Sequence, residues 1–559
     1  MRARLSLLLT ELLIAGSFMT PASVYAQTPA TAVGTTTPIK HLVVIFQENI
    51  SFDHYFGTYP NALNPQGEPA FHALPNTPAV NGLAGGGLLT SNPNLNPANA
   101  AGATNPFRLD RSQAATSDQN HNYTPEQQAM HSGLMDLFPS STGVAGPPPT
   151  TSVGPAPETI LLTTGINMGY YDGNTVTALW HYAQRYAMSD NSFDTAFGPS
   201  TPGALNLVSG QLNGVINNAN GSSAITDGGG GSTTNIGDAD PVGDVCSTTT
   251  GEVFSMSGKN VGDMLNAAGI SWGFYTQGFD LGVTNANGTT GCKRSTTSLV
   301  TNTNKADYIP HHESFQYYKS TANLTHARPT SVTTVGQTDA ANHQYDMHDF
   351  YDAVLAGNYP AVNYLKAPGY QDGHPGYSDP LDEQAFIVHV INFLQNNADW
   401  AHTAVVILYD DSDGWYDHQM PPIVNQSTGP ADALTGTGTC GNGQSALPGV
   451  NGVAHAQGRC GYGPRQPMMV ISPFSKVNYV DHTLTDLTST LRFIEDNWLN
   501  GQRIGSGSYD AIANSITGMM DFSKPTAKGK YILDETTGEP VGPAPGAGKG
   551  GSSEENPNQ

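Results

Sequence analysis

Apolar residues are concentrated in four short runs of the sequence. They cover residues 42–46, 270–275, 403–409 and 468–471. Runs of this length and composition are typical of strands that are buried on both faces of a sheet, because a strand with one exposed face alternates apolar and polar residues. The sequence therefore predicts four strands in the interior of the protein.

Three other segments carry apolar residues at helical spacing. Asn174 is suited to cap the first of these helices, and Asp379-Pro380 is suited to begin the second, which runs to about Asn397. The third has apolar residues from 487 to 498 and is expected to end at Gly501. Strands that alternate with helices predict an α/β fold, in which a mostly parallel sheet is covered by helices on both faces.

Long polar stretches rich in small residues interrupt this pattern. The chain has 63 Gly and 39 Pro, and only 12% of its residues are charged, so long ordered loops are expected. We predict a single domain over residues 39–536. Its insertions lie near 62–105, 216–250 and 425–465, a mobile leader precedes it at 27–38, and a disordered tail follows at 537–559.

The first residues predict an export signal. Arg2 and Arg4 precede a mostly apolar run over 5–18, and Val24-Tyr25-Ala26 offers a small-residue cleavage site. The run is shorter than the ~20 residues that a membrane-spanning helix needs. We expect residues 1–26 to be cleaved and the protein to be periplasmic or secreted, without a stable membrane anchor.

Four cysteines would then lie in an oxidising compartment, where an even number favours disulfides. Three pairings are possible, and we favour the sequence neighbours, Cys246 with Cys292 and Cys440 with Cys460. The alternative is a zinc site, but no pair of cysteines has the close spacing of structural zinc ligands.

The net charge of -24 constrains the partners. Removing residues 1–26, which contain two Arg and one Glu, changes it by one charge, to about -25. Such a surface disfavours nucleic acid, which is bound through Lys and Arg, and it repels phosphate esters at long range. A site for phosphate would need locally concentrated positive charge, from a metal ion and protonated histidines.

Acidic and amide residues follow two of the predicted strands. Glu48 and Asn49 follow the first, and Asp410 and Asp411 follow the third. Ligands of open α/β sheets bind beyond the carboxyl ends of the strands, and three carboxylates at one point require a cation between them. Oxygen ligands favour Mg²⁺, Ca²⁺ or Mn²⁺, with zinc or iron left open. The alternative is that these acids cap the strand ends in solvent.

Ser200 is a candidate nucleophile. It precedes Thr201-Pro202, which predicts a helix capped by Thr201 and begun by Pro202. Ser200 would then lie just before a helix N-terminus, where backbone N–H groups favour negative charge. The alternative is an ordinary turn.

Three histidines in polar loops, His121, His312 and His374, are candidates for donating hydrogen bonds to phosphate and for protonating a leaving alcohol. The chain has 17 histidines, so composition alone does not distinguish these three from surface residues.

Several motifs resemble one protein family. The strings are QENISFDHYFG at 47–57, GPSTP at 198–202, NAAGISW at 266–272 and YDDSDGWYDH at 409–418. Together they resemble the bacterial phosphoesterase family that contains non-specific phospholipases C and acid phosphatases, in the family's order and over about residues 38–500. The resemblance implies an alkaline-phosphatase-like fold, with a central mixed sheet flanked by helices.

The resemblance also implies roles for the candidate residues. One divalent metal ion would be held by Glu48, Asn49, Ser200, Asp410 and Asp411. Ser200 would attack phosphorus and form a phosphoseryl intermediate, which water then hydrolyses. The three histidines would surround the phosphate, while Asp53 and His54 would orient their loop.

Three positions distinguish the branches of this family. Phospholipase members commonly carry Arg at position 50, Thr at 200 and Glu at 411, where this chain has Ile50, Ser200 and Asp411. The sequence thus predicts a metal-dependent acid phosphatase that hydrolyses small phosphate monoesters. The alternative is a phospholipase C that acts on phosphatidylcholine-like phospholipids.

Two other classes of protein are alternatives. A non-catalytic surface protein would suit the polar loops and the acidic charge. A glycosidase that uses Asp410 and Asp411 is disfavoured, because adjacent strand residues point to opposite faces.

Overall fold

The computed structural model describes residues 34–145, 158–226, 233–445 and 459–542. The predicted signal at 1–26, the first part of the predicted leader and the end of the predicted tail lie outside the described residues. So do residues 227–232 and 446–458, in two of the predicted insertions.

An eight-stranded sheet forms the centre of the described chain. Its strands, in chain order, are β1 (His41–Gln47), β2 (Ala187–Ser189), β3 (Trp272–Thr276), β4 (Gln344–Asp346), β5 (Val362–Lys366), β6 (Thr403–Tyr409), β7 (Met468–Ile471) and β8 (Tyr479–Asp481). Their order across the sheet is β4-β3-β5-β1-β6-β7-β2-β8. All neighbouring pairs are parallel except the two that involve β7, which runs antiparallel to β6 and β2. The four predicted strands and the mostly parallel sheet are confirmed.

The remaining strands are short and lie in the loops. They are Phe107–Arg108, Gly169–Tyr170, Ser192–Phe193, Val215–Ala219, Ala224–Thr226, Thr233–Asn235, Asp240–Pro241, Val253–Met256, Ser295–Thr297, Asn304–Ala306, Asn425–Ser427, Cys440–Ser445 and Thr485–Asp486.

The α-helices of the described residues are α1 (Phe52–Phe56), α2 (Tyr123–Met130), α3 (Phe138–Ser141), α4 (Glu158–Leu161), α5 (Thr177–Arg185), α6 (Ser200–Ser209), α7 (Val261–Ala268), α8 (Met347–Leu355), α9 (Pro380–Asn396) and α10 (Thr488–Trp498). Alternate residues of β1 face opposite cores. Val43 and Ile45 pack with apolar residues of α5, α8 and α9, whereas Leu42, Val44 and Phe46 pack with those of α6, α7 and α10. Both faces of the sheet are therefore covered by helices, which confirms the predicted α/β class.

The predicted helix ends are confirmed in part. Asp379 caps α9 by accepting from the backbone N–H groups of Leu381 and Asp382. Asn174 does not cap α5, which begins at Thr177. The side chain of Asn174 instead donates to the backbone oxygen of Pro69, 2.7 Å away, and binds Asn64. Asn174 thus anchors the 62–105 insertion to the domain.

Both favoured disulfides are present, Cys246–Cys292 and Cys440–Cys460. Residues at the borders of the predicted leader and tail contact the domain. Thr37 donates its backbone N–H to Asn497 Oδ1, at 2.9 Å, and Val541 donates to the backbone oxygen of Ile532, also at 2.9 Å. None of the helices among the described residues combines the length and the apolar character that crossing a bilayer requires.

Candidate active site

The carboxyl ends of three adjacent strands meet at one edge of the sheet. β1 lies between β5 and β6 and is parallel to both, with Gln47 opposite Tyr409 and Phe46 opposite Lys366. Glu48 and Asp410 directly follow β1 and β6. The strand order therefore brings together the two acidic segments that are about 360 residues apart in sequence.

The two segments are bonded to each other through the backbone. Asp410 Oδ1 accepts from the backbone N–H of Asn49, at 2.9 Å, and from that of Asp411, at 2.7 Å. The backbone N–H of Ile50 donates to the carbonyl oxygen of Asp411, also at 2.9 Å. Glu48, Asn49, Asp410 and Asp411 are all 0% exposed, so the alternative of solvent-exposed strand caps is wrong.

Asn49 has a φ of 63°, in the left-handed region that asparagine tolerates better than most residues. This conformation turns the chain sharply after Glu48. It lets the backbone of Asn49 face Asp410, while its side-chain amide donates to Asp413 Oδ1, 3.1 Å away.

Ser200, in α6, lies beside the same carboxylates. Its hydroxyl donates to Glu48 Oε2, at 2.9 Å, and lies 3.3 Å from Asp411 Oδ2. The predicted cap at Thr201 is wrong by two residues, since α6 begins at Ser200 itself and Pro199 precedes it in an extended conformation.

The first turn of α6 approaches the acidic loop closely. A Cβ added to Gly203 would lie 2.3 Å from the carbonyl oxygen of Asp410, well inside contact distance. Only glycine lets the helix pack directly against the Asp410 backbone, and this close approach sets the distance between Ser200 and the carboxylates.

The donor set fits a hard divalent cation. Burial and the neighbouring Asp410 charge raise the pKa of Asp411 well above its usual range. Asp410 Oδ2 and Asn49 Oδ1 are buried and have no hydrogen-bond partner among the described residues. Buried acceptors without a donor are costly unless a cation binds them, and oxygen ligands suit Mg²⁺, Ca²⁺ or Mn²⁺. The residues present therefore fit a metal ion.

The three predicted histidines lie around this cluster. His312 Nδ1 is 3.3 Å from Glu48 Oε1, and its Nε2 is buried without a partner among the described residues. His121 Nδ1 is 3.1 Å from Asp413 Oδ1, and the His374 ring lies 5.8 Å from the His121 ring.

The three histidines, expected as sources of positive charge, differ in pKa. Burial lowers the pKa of His374 to about 4. Burial, followed by the positive charge of Lys366, lowers the pKa of His312 well below its ordinary range. Burial also acts to lower the pKa of His121, but nearby carboxylates, with Asp411 first among them, outweigh it and raise that pKa well above 6.5.

Sequence reasoning missed several buried groups at the site. Lys366, the last residue of β5, pairs with Glu48 Oε1. Burial acts to lower the pKa of Lys366, but Glu48, Asp410 and Asp372 outweigh it and raise it, so this residue carries a positive charge into the site. The signal in the sequence was a lysine at the end of a strand. Its significance depends on that strand lying beside β1, which only the strand order shows.

Asp372 and Glu126 were also missed. Ligand atoms of Asp372, Glu48 and His312 lie within 4.8 Å of one another, so these three residues could also contribute to holding a metal ion. Glu126 Oε2 accepts from the backbone N–H of Gly198, at 3.0 Å, and its Oε1 accepts from the hydroxyl of Ser412, at 2.8 Å. Glu126 thereby links the Ser200 loop to the loop after β6.

His54 lies away from the acidic cluster. Its Nδ1 is 2.7 Å from the carbonyl oxygen of Gly169, and its ring stacks on Trp415 at 3.9 Å. Burial lowers the pKa of His54 to about 3, so it is a neutral packing residue of the loop.

Several relatives found by sequence comparison are bacterial phospholipases C. The chain is 25% identical to a non-hemolytic phospholipase C of Pseudomonas aeruginosa and 24% identical to one of Burkholderia pseudomallei, over 90% of this chain in each case. It is 24% identical over 88% of its length to phospholipase C A of Mycobacterium tuberculosis. The matches span 60%, 61% and 79% of these relatives, so the chain covers less than two thirds of the first two.

Among solved structures, murine ectonucleotide pyrophosphatase / phosphodiesterase 5 aligns with 62% of this chain and 95% of its own, at 10% identity and a TM-score of 0.28. So low a score carries no argument about this protein. The sequence model of the Phosphoesterase family, in contrast, matches residues 39–499, which include every residue of the site described above. The chain therefore belongs to the phosphoesterase family.

Proposed function

We propose that this protein is a metal-dependent acid phosphatase that hydrolyses phosphate monoesters through a phosphoseryl intermediate on Ser200. The observation that carries the proposal is the position of the Ser200 hydroxyl, which is buried at the start of α6 and lies within 3.3 Å of both Glu48 and Asp411. A hydroxyl held among carboxylates and backbone N–H groups is suited to lose its proton and attack phosphorus.

Glu48, Asn49, Ser200, Asp410 and Asp411 are the residues that would hold the metal ion. When bound there, a divalent cation lowers the pKa of the serine hydroxyl and neutralises charge on the transferred phosphoryl group.

In the first step the Ser200 oxygen forms a bond to phosphorus while the ester P–O bond breaks. The serine proton passes to Glu48 Oε2, which already accepts it at 2.9 Å. The leaving alkoxide takes a proton from His121, whose raised pKa keeps its imidazole charged. The products are an alcohol and phosphoserine.

In the second step a water oxygen bonds to phosphorus and the Oγ–P bond breaks. His312 suits the role of base, because its Nδ1 faces carboxylates and holds the ring proton, leaving Nε2 as the acceptor. The water proton passes to His312, and Ser200 recovers a proton from Glu48. Exchange with solvent then returns a proton to His121 and removes the one on His312. Phosphate is released.

The fall of activity with rising pH rests on His121. A protonated His121 is required in the first step, so activity is retained below its pKa and falls as pH rises through it. That pKa lies above 6.5, so the fall is expected later than for an ordinary histidine. We also propose that the protein acts after export, since its two disulfides suit an oxidising compartment.

A phospholipase C is the second candidate, and the names of the relatives favour it. The two functions share the phosphate site and differ in the ester they accept. Parallel assays on p-nitrophenyl phosphate and on a phosphocholine diester separate them. A higher kcat/KM for the diester would replace the phosphatase by the phospholipase.

The nucleophile is tested with Ser200→Ala. We expect loss of nearly all turnover and loss of a phosphoserine that wild-type enzyme forms in an acid-quenched reaction with labelled substrate. The matched control is Ser209→Ala, a buried serine at the other end of α6, whose hydroxyl donates to the backbone oxygen of Leu205. Label on Ser200→Ala, or substantial residual turnover, would place the nucleophile elsewhere.

A further inference from the structure

One fully buried arginine contacts the loops that follow both β1 and β6. The Nε of Arg465 lies 3.1 Å from both carboxylate oxygens of Asp417, and its Nη2 lies 3.1 Å from Asp53 Oδ1. Its Nη1 donates to the backbone oxygens of Asn81, at 2.8 Å, and Asp190, at 2.9 Å. Every nitrogen of the guanidinium group is therefore engaged.

The two carboxylates bound by Arg465 belong to the loops that carry the proposed metal ligands. Asp53 is in α1, four residues after Asn49. Asp417 lies seven residues after Asp410 and six after Asp411. Asp417 Oδ2 also accepts from the backbone N–H of Asp53, at 3.1 Å. Arg465 thus closes a bridge between the two loops on the side away from their strands.

Arg465 also contacts Phe52, which precedes Asp53 in the loop after β1. Its carbonyl oxygen accepts from the backbone N–H of Phe52, at 2.9 Å, and its guanidinium lies 4.3 Å above the Phe52 ring. His418 adds a second bond to Asp53, with its Nδ1 2.6 Å from Asp53 Oδ2.

The segment around Arg465 also borders the chain that leads to Ser200. Asp194 donates its backbone N–H to Pro464, at 2.8 Å, and Gly463 donates back to Asp194, at 2.9 Å. A Cβ on Gly463 would lie 2.5 Å from the carbonyl oxygen of Ala196, so this contact is close. Residues 461–466 therefore touch all three segments from which the proposed site is built.

We infer that Arg465 is a positioning residue for the proposed phosphoester hydrolysis, on which this inference rests. Arg465 touches none of the proposed ligands or the three histidines. It sets the distance between the Glu48–Asn49 segment and the Asp410–Asp411 segment. The planar guanidinium reaches two carboxylates and two carbonyls at once, which the single ammonium of lysine cannot do.

The test compares Arg465→Lys with Arg459→Lys in the full-length protein. Arg459 is the matched control, because it is also fully buried and lies over an aromatic ring, that of Tyr509 at 5.1 Å. It donates to the backbone oxygen of Gly507, at 3.0 Å. Both variants lose a buried guanidinium, but only the first loses the bridge between the loops.

The measurements are Mn²⁺ affinity by calorimetry, and kcat and KM for p-nitrophenyl phosphate at saturating Mn²⁺. We expect Arg465→Lys to bind Mn²⁺ at least about tenfold more weakly than Arg459→Lys and to have a kcat at least about tenfold lower, with KM little changed. Any smaller difference in Mn²⁺ affinity would overturn the inference, because a residue that only stabilises the fold affects both variants alike.

Two other results also bear on the role of Arg465. If Arg465→Lys does not fold, Asp417→Asn takes its place under the same thresholds, since it weakens the same bridge and keeps a hydrogen-bonding side chain. If wild-type protein binds Mn²⁺ but does not hydrolyse phosphate esters, the proposed function fails, while the Mn²⁺ affinities still decide the role of Arg465.

Discussion

Glu383, a buried residue of α9, binds two tyrosines that lie next to the acidic loops. Its carboxylate accepts from the hydroxyls of Tyr55, at 2.7 Å, and Tyr409, at 2.8 Å. Tyr55 is in α1 and Tyr409 ends β6, so Glu383 binds both elements that flank the acidic loops. Burial raises the pKa of Glu383 from 4.5 to about 7, although the two tyrosine hydrogen bonds act in the opposite direction.

The raised pKa makes a prediction about stability. Between pH 4.5 and about 7 the unfolded protein has lost this proton while the folded protein keeps it. The folded state binds more protons, so its stability is complete below pH 4.5 and decreases as pH rises through this range. At ~1.4 kcal/mol per pH unit, the loss amounts to about 3 kcal/mol. Glu383→Gln removes this loss and keeps the hydrogen bonds, because a tyrosine hydroxyl can also accept from an amide.

The assay is urea unfolding of wild type and Glu383→Gln at several pH values between 4.5 and 7.5, followed by tryptophan fluorescence with disulfides intact. The quantity of interest is the difference in unfolding free energy between the two proteins, in which the other titrating groups cancel. We expect this difference to shift by about 3 kcal/mol in favour of the variant as pH rises. Glu535→Gln, at a half-exposed position, controls for the change in net charge. A difference that does not change with pH would refute the reasoning.

Three other predictions follow from the site and the loops. Asp410→Asn retains an acceptor for the backbone but loses a charged ligand oxygen, so calorimetry should find divalent-metal affinity reduced by about 100-fold or more, at least as much as changing a residue that only bonds to a ligand causes; unchanged affinity would remove Asp410 from the ligand set. Gly203→Ala should lower the free energy of unfolding in urea by about 1–3 kcal/mol, because the added methyl overpacks against the Asp410 backbone, and should displace Ser200; a gain in stability, as in an exposed helix, would contradict the close approach. The double variant Cys246→Ser/Cys292→Ser opens a 46-residue loop, so denaturant unfolding should give a loss of about 4 kcal/mol, and no loss would contradict the entropic estimate.

The sequence predicted some residues of the site and not others. The residues after β1 and β6 were identifiable because each directly follows an apolar run, and the distance from strand to loop is fixed by the chain. Lys366 was not identifiable in this way, since its significance depends on β5 lying beside β1. The histidine charges were predicted uniformly, but burial differs among the three loops and divides them into one charged and two neutral residues.

Local pattern in the sequence determined the elements of this protein, because apolar periodicity, capping residues and glycine act over a few neighbouring residues. It thereby determined the α/β class, the four strands and the cap at Asp379. Only the tertiary structure decided where those elements meet. The order of β5, β1 and β6, the approach of α6 at Gly203 and the bridge made by Arg465 join residues that are distant in the chain. Their chemistry depends on burial and distance, which no short stretch of sequence specifies.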